Sequence, residues 1–247
     1  MRIQHDSYDV VVVGGGPAGS TTATLVAQRG HRVLLLERET FPRFHVGESL
    51  IPATYDVLER LGMLETMRES AFTKKYSVQF ITGDGRESAP FYFHETDPSD
   101  RSQTWQVERA QMDHMLFENA RAHGVEAHDG DLTVNHILFE KGRAVGVRVR
   151  FRDGSEVDVG AKVVVDATGQ RALLSRRLNL REQDPFLRMA SIFTHFEGAR
   201  RDDGIDEGAT LIIHNETRDG WFWYIPLHDD RVSVGVVGQI DYLIKGR

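Results

Sequence analysis

Residues 10–19 read VVVVGGGPAG, a wholly apolar run that breaks into Gly14-x-Gly16-x-x-Gly19. A parallel strand buried on both faces has this composition, and a helix is expected to follow at once. Each glycine has a mechanical role in such a turn. Gly14 permits the tight bend, Gly16 lets backbone approach a pyrophosphate, and Gly19 lets the helix pack closely on the strand. Pro17, followed by Ala18, falls where a first helical turn tolerates proline. The helix start then offers unpaired N–H groups and a positive dipole end to a diphosphate. RVLLLERE reads as the second strand and ends in Glu37-Arg38. That acid lies roughly twenty residues past the loop, where a carboxylate can hold a ribose hydroxyl. Strand, glycine loop, helix and acid in this order predict a dinucleotide-binding βαβ unit.

The chain of 247 residues is long enough for one large core or two smaller lobes. Its net charge is −7, with lysine and arginine scattered rather than striped, which weighs against nucleic acid as a partner. Cysteine is absent, so disulfides, thiolate metal sites and a cysteine nucleophile are all excluded. The 11 histidines show no HExxH or ligand-like cluster, and no metal site is expected. No Gly-x-Ser-x-Gly elbow is present either. No apolar stretch is long enough to span a bilayer, and MRIQHDSYD has no signal-peptide character, so the expected location is cytoplasmic.

Beyond the first unit the pattern interleaves. ATYDVLERLGML reads as a helix stopping at Gly62, and KYSVQFITGDGRESAPFYF as two strands joined at Asp84-Gly85. VERAQMDHMLFENARAHG reads as a helix with Met112, Met115, Leu116 and Ala120 on one face and Gly124 closing it. A second hairpin is expected at Asp153-Gly154, followed by the buried strand AKVVVDATG. From about Leu187 onward everything reads as strand. The predicted fold is α/β (α+β): a Rossmann lobe at 1–75 and 106–182, interleaved with a mostly antiparallel sheet lobe at 76–105 and 183–247.

Four segments carry a family resemblance over nearly the whole chain. They are GGGPAG with Glu37; FPRFHVGESLIP at 41–52, with Gly47-Glu48-Ser49 at its core; VVVDATGQRALLSRRL, with Asp166-Ala167-Thr168-Gly169; and GWFWYIPL, in which Trp221, Trp223, Ile225 and Pro226 spell WxWxIP. Together they resemble FAD-dependent oxidoreductases of the flavin-dependent, tryptophan halogenase-like type. The same fold serves geranylgeranyl reductases and aromatic hydroxylases. The hydroxylases usually carry a Cys-Asp-Gly turn where this chain has Val165-Asp166-Ala167-Thr168-Gly169.

The resemblance implies FAD as cofactor, held by Gly14, Gly16, Pro17, Ala18, Gly19, Glu37 and Arg38. It adds the loop Gly47-Glu48-Ser49 and the turn Asp166, Thr168 and Gly169. Arg109, opening the returning helix, resembles the family arginine near the FAD. In such enzymes a flavin C4a-hydroperoxide oxidises halide, and a lysine directs the resulting hypohalous acid to an aromatic or other electron-rich substrate. AFTKKYSVQF at 71–80 is similar to the family's GFxxKxGxxF with Phe72, Lys75, Ser77 and Phe80 in register, although Ala71 and Ser77 replace its glycines. Lys75 is therefore the candidate catalytic lysine. Strand alternation turns Lys74 to the other face. Trp221 and Trp223 share a strand face and would wall the substrate pocket with Ile225 and Pro226; ordinary sheet packing accounts equally for such a pair.

One phosphate-binding loop in the chain implies reduced flavin from a separate reductase. The expected partners are thus that reductase, a small-molecule substrate and halide, with neither nucleic acid nor membrane. The family's third FAD segment, a Gly-Asp opening a helix, has no counterpart here, so the sequence reads as C-terminally truncated. A geranylgeranyl reductase-like or monooxygenase flavoprotein, or a catalytically incomplete FAD-binding fragment, stays open as an alternative.

Overall fold

The computed structural model describes residues 3–244; residues 1–2 and 245–247, at the outer ends of the two expected lobes, lie outside the described residues. The elements run β1 (Ser7–Val13), α1 (Pro17–Ala27), β2 (Val33–Leu36), α2 (Thr54–Arg60), α3 (Leu64–Glu69), β3 (Thr73–Lys75), β4 (Ser77–Ile81) and β5 (Phe91–Tyr92). Then come β6 (Thr104–Gln106), α4 (Arg109–Ala122), β7 (Glu126–His128), β8 (Leu132–Glu140), β9 (Arg143–Phe151), β10 (Glu156–Asp166) and α5 (Leu173–Arg177). The last are β11 (Met189–Glu197), β12 (Thr210–His214), β13 (Trp221–Pro226), β14 (Arg231–Gln239) and α6 (Ile240–Ile244).

The chain divides into two compact units, one of residues 1–45 and 109–181, the other of 46–108 and 182–247. The boundary of these units differs from that of the expected lobes. Residues 46–75, expected in the Rossmann lobe, belong to the second unit. The cause is bonding between residues distant in sequence: Ser49 pairs with Gln106 in a bridge and bonds Thr210 on β12, while β3 pairs with β6.

The first unit is built on a six-stranded sheet in the order β7-β2-β1-β10-β9-β8. β1 is parallel to both β2 and β10, and β2 to β7, whereas β10-β9-β8 is an antiparallel meander. The valine run of β1 is apolar throughout because both its faces are covered. Val10 and Val12 pack with Ala23 of α1 and with Phe117 and Ala120 of α4. Val11 and Val13 pack with Leu34 and Leu36 and with Val134, Val147 and Val149 of the meander. On α4 the predicted face is buried at Met112, Leu116 and Ala120, but Met115 is only half-buried, and Asp113 and Phe117 are buried instead.

The second unit carries the sheet β11-β14-β13-β12-β4-β5, antiparallel except for the parallel pair β12 and β4, together with the small ladder β3-β6. The expected strands after Leu187 are present as β11 to β14. Helix α3, which the sequence reading did not separate from the loop after Gly62, follows α2 directly.

Candidate active site

In the first unit a cleft of about 320 Å³ opens where β1 and β2 end. Gly14, Gly16, Pro17, Ala18, Glu37 and Arg38 line it, as do Arg109, Thr168 and Gly169. Gly14 has φ +106°, and a Cβ there would sit 2.4 Å from the Ala167 carbonyl oxygen. A Cβ on Gly19 would strike the Gly14 oxygen at 1.7 Å, so this glycine serves close helix–strand packing and does not itself line the cleft. Gly16 differs from both, since only Arg43 Nη2, at 3.3 Å, borders its missing side chain. It also stands at the N-terminus of α1, with no side chain capping the helix, which leaves the first-turn N–H groups to an anion.

Glu37 is buried; its Oε2 accepts from Gly15 N–H at 2.7 Å and its Oε1 from Glu39 N–H at 3.0 Å. Two arginines bring positive charge to this cleft. Arg43 Nη1 donates to Asp113 Oδ2 at 2.9 Å, and Arg109 Nε to Asp113 Oδ1 at 2.7 Å. Asp113 is fully buried, so this charge cluster is a fixed part of the unit. Arg43 and Asp113 were missed from sequence; the one available signal was a basic residue in the loop just after β2. Asp166 does not line the cleft. Its Oδ1 accepts from Thr168 N–H and Oγ, and its Oδ2 from Leu174 N–H, so it shapes the turn that presents Thr168 and Gly169.

In the second unit a largely apolar cavity of about 590 Å³ brings together Gly47, Glu48, Ser49, Lys75, Trp221, Trp223 and Ile225. Alternation along β13 accounts for the trio Trp221, Trp223 and Ile225 on one face. Pro226 falls on the other face and lines a separate cavity with Tyr224. Of the four WxWxIP residues, then, three meet at one wall and Pro226 does not. Trp223 Nε1 donates to Ser233 Oγ at 3.1 Å, and its ring centroid lies 6.2 Å from that of Trp221.

Lys75 is 3% exposed while Lys74, its neighbour on β3, faces solvent. Lys75 Nζ donates to Ser49 Oγ at 2.9 Å and to the Leu50 carbonyl at 3.1 Å. Burial pushes its pKa down to about 8, because an ammonium loses hydration there. Ser49 Oγ also shares a hydrogen bond with Thr210 Oγ1 at 3.0 Å. Glu48, beside Gly47 at φ +110°, is 2% exposed and meets His195 Nε2 through Oε1 at 2.7 Å. Among the described residues its buried Oε2 has no hydrogen-bond partner. His195 was passed over among the histidines because nothing in its local sequence marks it.

A family model described as FAD binding domain matches residues 7–242. The chain is 36% identical over 256 residues to a 1H-pyrrole-2-carbonyl peptidyl-carrier-protein chlorinase of Pseudomonas fluorescens, covering 95% of this chain and 56% of that protein. It is 36% identical over 244 residues to the corresponding brominase of Pseudoalteromonas luteoviolacea, covering 98% of this chain and 57% of the brominase. The solved structure of a myxobacterial chondrochloren halogenase, described as a variant of FAD-dependent halogenases, matches with TM-score 0.87 at 39% identity. That match covers 96% of this chain and 54% of the other. The chain spans about half the length of the curated relatives it matches. Among the described residues no helix is long and apolar enough to cross a membrane.

Proposed function

The chain belongs to the FAD-binding domain family, and from that premise we propose that it carries the cofactor and substrate elements of a flavin-dependent halogenase. The residues present fit FAD. Gly14 and Gly16 leave a cradle in which a Cβ at Gly14 would collide with backbone. The α1 N-terminus with Arg43 and Arg109 suits a pyrophosphate, and Glu37 keeps lone pairs for a ribose hydroxyl. Arg38, Pro17, Ala18, Thr168 and Gly169 would border the same nucleotide. Gly19 and Asp166 would act through the backbone they shape, and Gly47, Glu48 and Ser49 are assigned to the flavin on the resemblance of their loop.

When bound and reduced, the flavin would supply the oxidation of halide by dioxygen. The chain's own residues do the rest. Trp221, Trp223 and Ile225 exclude water and present a flat apolar wall to an aromatic or other electron-rich small molecule. Lys75 donates to the oxygen of hypohalous acid, which makes the halogen end more electrophilic and fixes where it is delivered. The single observation that carries this reading is a buried lysine on the cavity wall whose ammonium, among the described residues, hydrogen-bonds one side chain, that of Ser49. A reductase separate from this chain would deliver reduced FAD, in the cytoplasm.

The test supplies the chain with FAD, a flavin reductase, dioxygen and bromide, and follows bromine incorporation into phenols, pyrroles and indoles by mass spectrometry. Bromide-dependent product is the expected result. FAD bound at stoichiometry with no halogenated product from any of these would overturn it.

A further inference from the structure

The loop carrying Glu48 is clamped to β6 and the residue after it. Leu50 N–H donates to the Trp105 carbonyl at 3.0 Å, Val107 N–H donates to the Glu48 carbonyl at 2.7 Å, and Ser49 pairs with Gln106 between them. This backbone holds Glu48 on the wall of the apolar cavity, 2% exposed. Its Oε1 lies 2.7 Å from His195 Nε2, and the two atoms share one proton. Whether the imidazole donates to a carboxylate or the carboxyl donates to the imidazole, Oε2 is left as an acceptor. A proton on Oε2 itself would need an acceptor in turn, and among the described residues Oε2 has no hydrogen-bond partner of either kind.

No neighbouring cation answers that need. Among the described residues neither lysine nor arginine pairs with Glu48, and no carboxylate contributes to the lowered pKa of Lys75, whose ammonium donates to Ser49 Oγ and the Leu50 carbonyl. A buried acceptor without a donor has lost its hydration and gained nothing for it, so a donor brought in by a bound molecule recovers that loss. The cavity thus presents two polar points of opposite kind, a donor at Lys75 and an acceptor at Glu48, beside the wall of Trp221, Trp223 and Ile225.

We propose that Glu48 Oε2 selects the substrate by accepting the N–H or O–H of an electron-rich ring, so that phenols, pyrroles and indoles are held and isosteres without that hydrogen are not. The inference rests on the reading of this cavity as the substrate pocket and deepens it, since the apolar wall alone would favour the less polar isostere. The bond also serves the chemistry. It strengthens as the ring gives electrons to the halogen and the N–H or O–H becomes more acidic, which stabilises the transition state more than the bound ground state. An N–H of the flavin is the competing donor, and the experiment separates the two.

The ¹⁹F resonances of para-fluorophenol, para-fluoroanisole and para-fluorotoluene are followed on titration with the chain in halide-free buffer at neutral pH. The phenol donates and accepts, the anisole only accepts, and the toluene matches the phenol in size and does neither. The phenol should bind at least about tenfold more tightly than either, the gain expected of one hydrogen bond to a charged group. Glu48→Gln leaves one oxygen for His195 and turns an amide N–H₂ to the cavity, so it should erase that preference. Equal or tighter binding of the anisole or the toluene, no binding of the phenol, a preference that persists in folded Glu48→Gln, or a preference lost once FAD is bound would each overturn the proposal. The comparison of the three rings comes from the unmodified protein and does not depend on the variant folding. The preference without halogenation would sink the reaction alone, and halogenation without the preference would sink the acceptor alone.

Discussion

His195 on β11 meets Glu48 at 2.7 Å, and this bond joins an edge strand of the second sheet to the loop that carries Gly47 and Ser49. Glu48 is buried, and among the described residues its other oxygen has no hydrogen-bond partner, so the imidazole is the main polar group that satisfies this carboxyl. Removing one partner of a buried pair strands the other.

His195→Ala should therefore destabilise the chain by about 3 kcal/mol, and Glu48→Gln in the same background should recover part of that loss. Urea unfolding of the two single variants and the double measures both. Additive losses with no coupling would show that the pair is not a unit.

The glycine loop separates fold from binding. Gly14→Ala puts a side chain at φ +106° and 2.4 Å from a carbonyl oxygen, so it should cost about 1–3 kcal/mol of stability. Gly16→Asp has only the tip of Arg43 nearby and should change the thermal midpoint little while abolishing FAD retention, because it sets a carboxylate against the phosphates. Thermal unfolding and flavin absorbance after gel filtration distinguish the two. Undiminished FAD in Gly16→Asp would remove the glycine loop from the site.

Lys75 gives a pH signature with a defined sign. Its folded pKa, about 8, lies below the usual value of 10.5, so between these the unfolded chain binds more protons. Stability should rise with pH across that window, by about 3 kcal/mol in total relative to Lys75→Met. Lys74→Met, on the exposed face of β3, should keep the rise. Parallel stability–pH curves for wild type and Lys75→Met would contradict the burial of this charge.

What was legible in the sequence was local. The strand, glycine loop, helix and acid of residues 10–37 lie within one βαβ unit, and periodicity reports them directly. Two-residue alternation sets Lys74 and Lys75 on opposite faces, while the choice of Lys75 as the inward one comes from the family resemblance; the same rule, applied to β13, separates Pro226 from the two tryptophans with which the sequence reading groups it. The charged partners were not legible. Arg43 and Asp113 are 70 residues apart and Glu48 and His195 are 147 apart, and a single sequence holds no signal for such pairs. The unit boundary failed for the same reason, since the bonds from Ser49 to Thr210 and Gln106 that tie residues 46–75 to the second unit are long-range.

In the proposed reaction Lys75 directs halogen transfer after the flavin has reacted with oxygen. Bromination of a phenol, with reduced FAD supplied by a reductase and flavin reoxidation followed in parallel by absorbance, tests it most directly. Lys75→Ala should reoxidise flavin at the wild-type rate yet lose at least a hundredfold in brominated product, within the roughly 10²–10³ that one positioned donor contributes, while Lys74→Ala brominates normally. Full bromination by Lys75→Ala would contradict a directing role for Lys75.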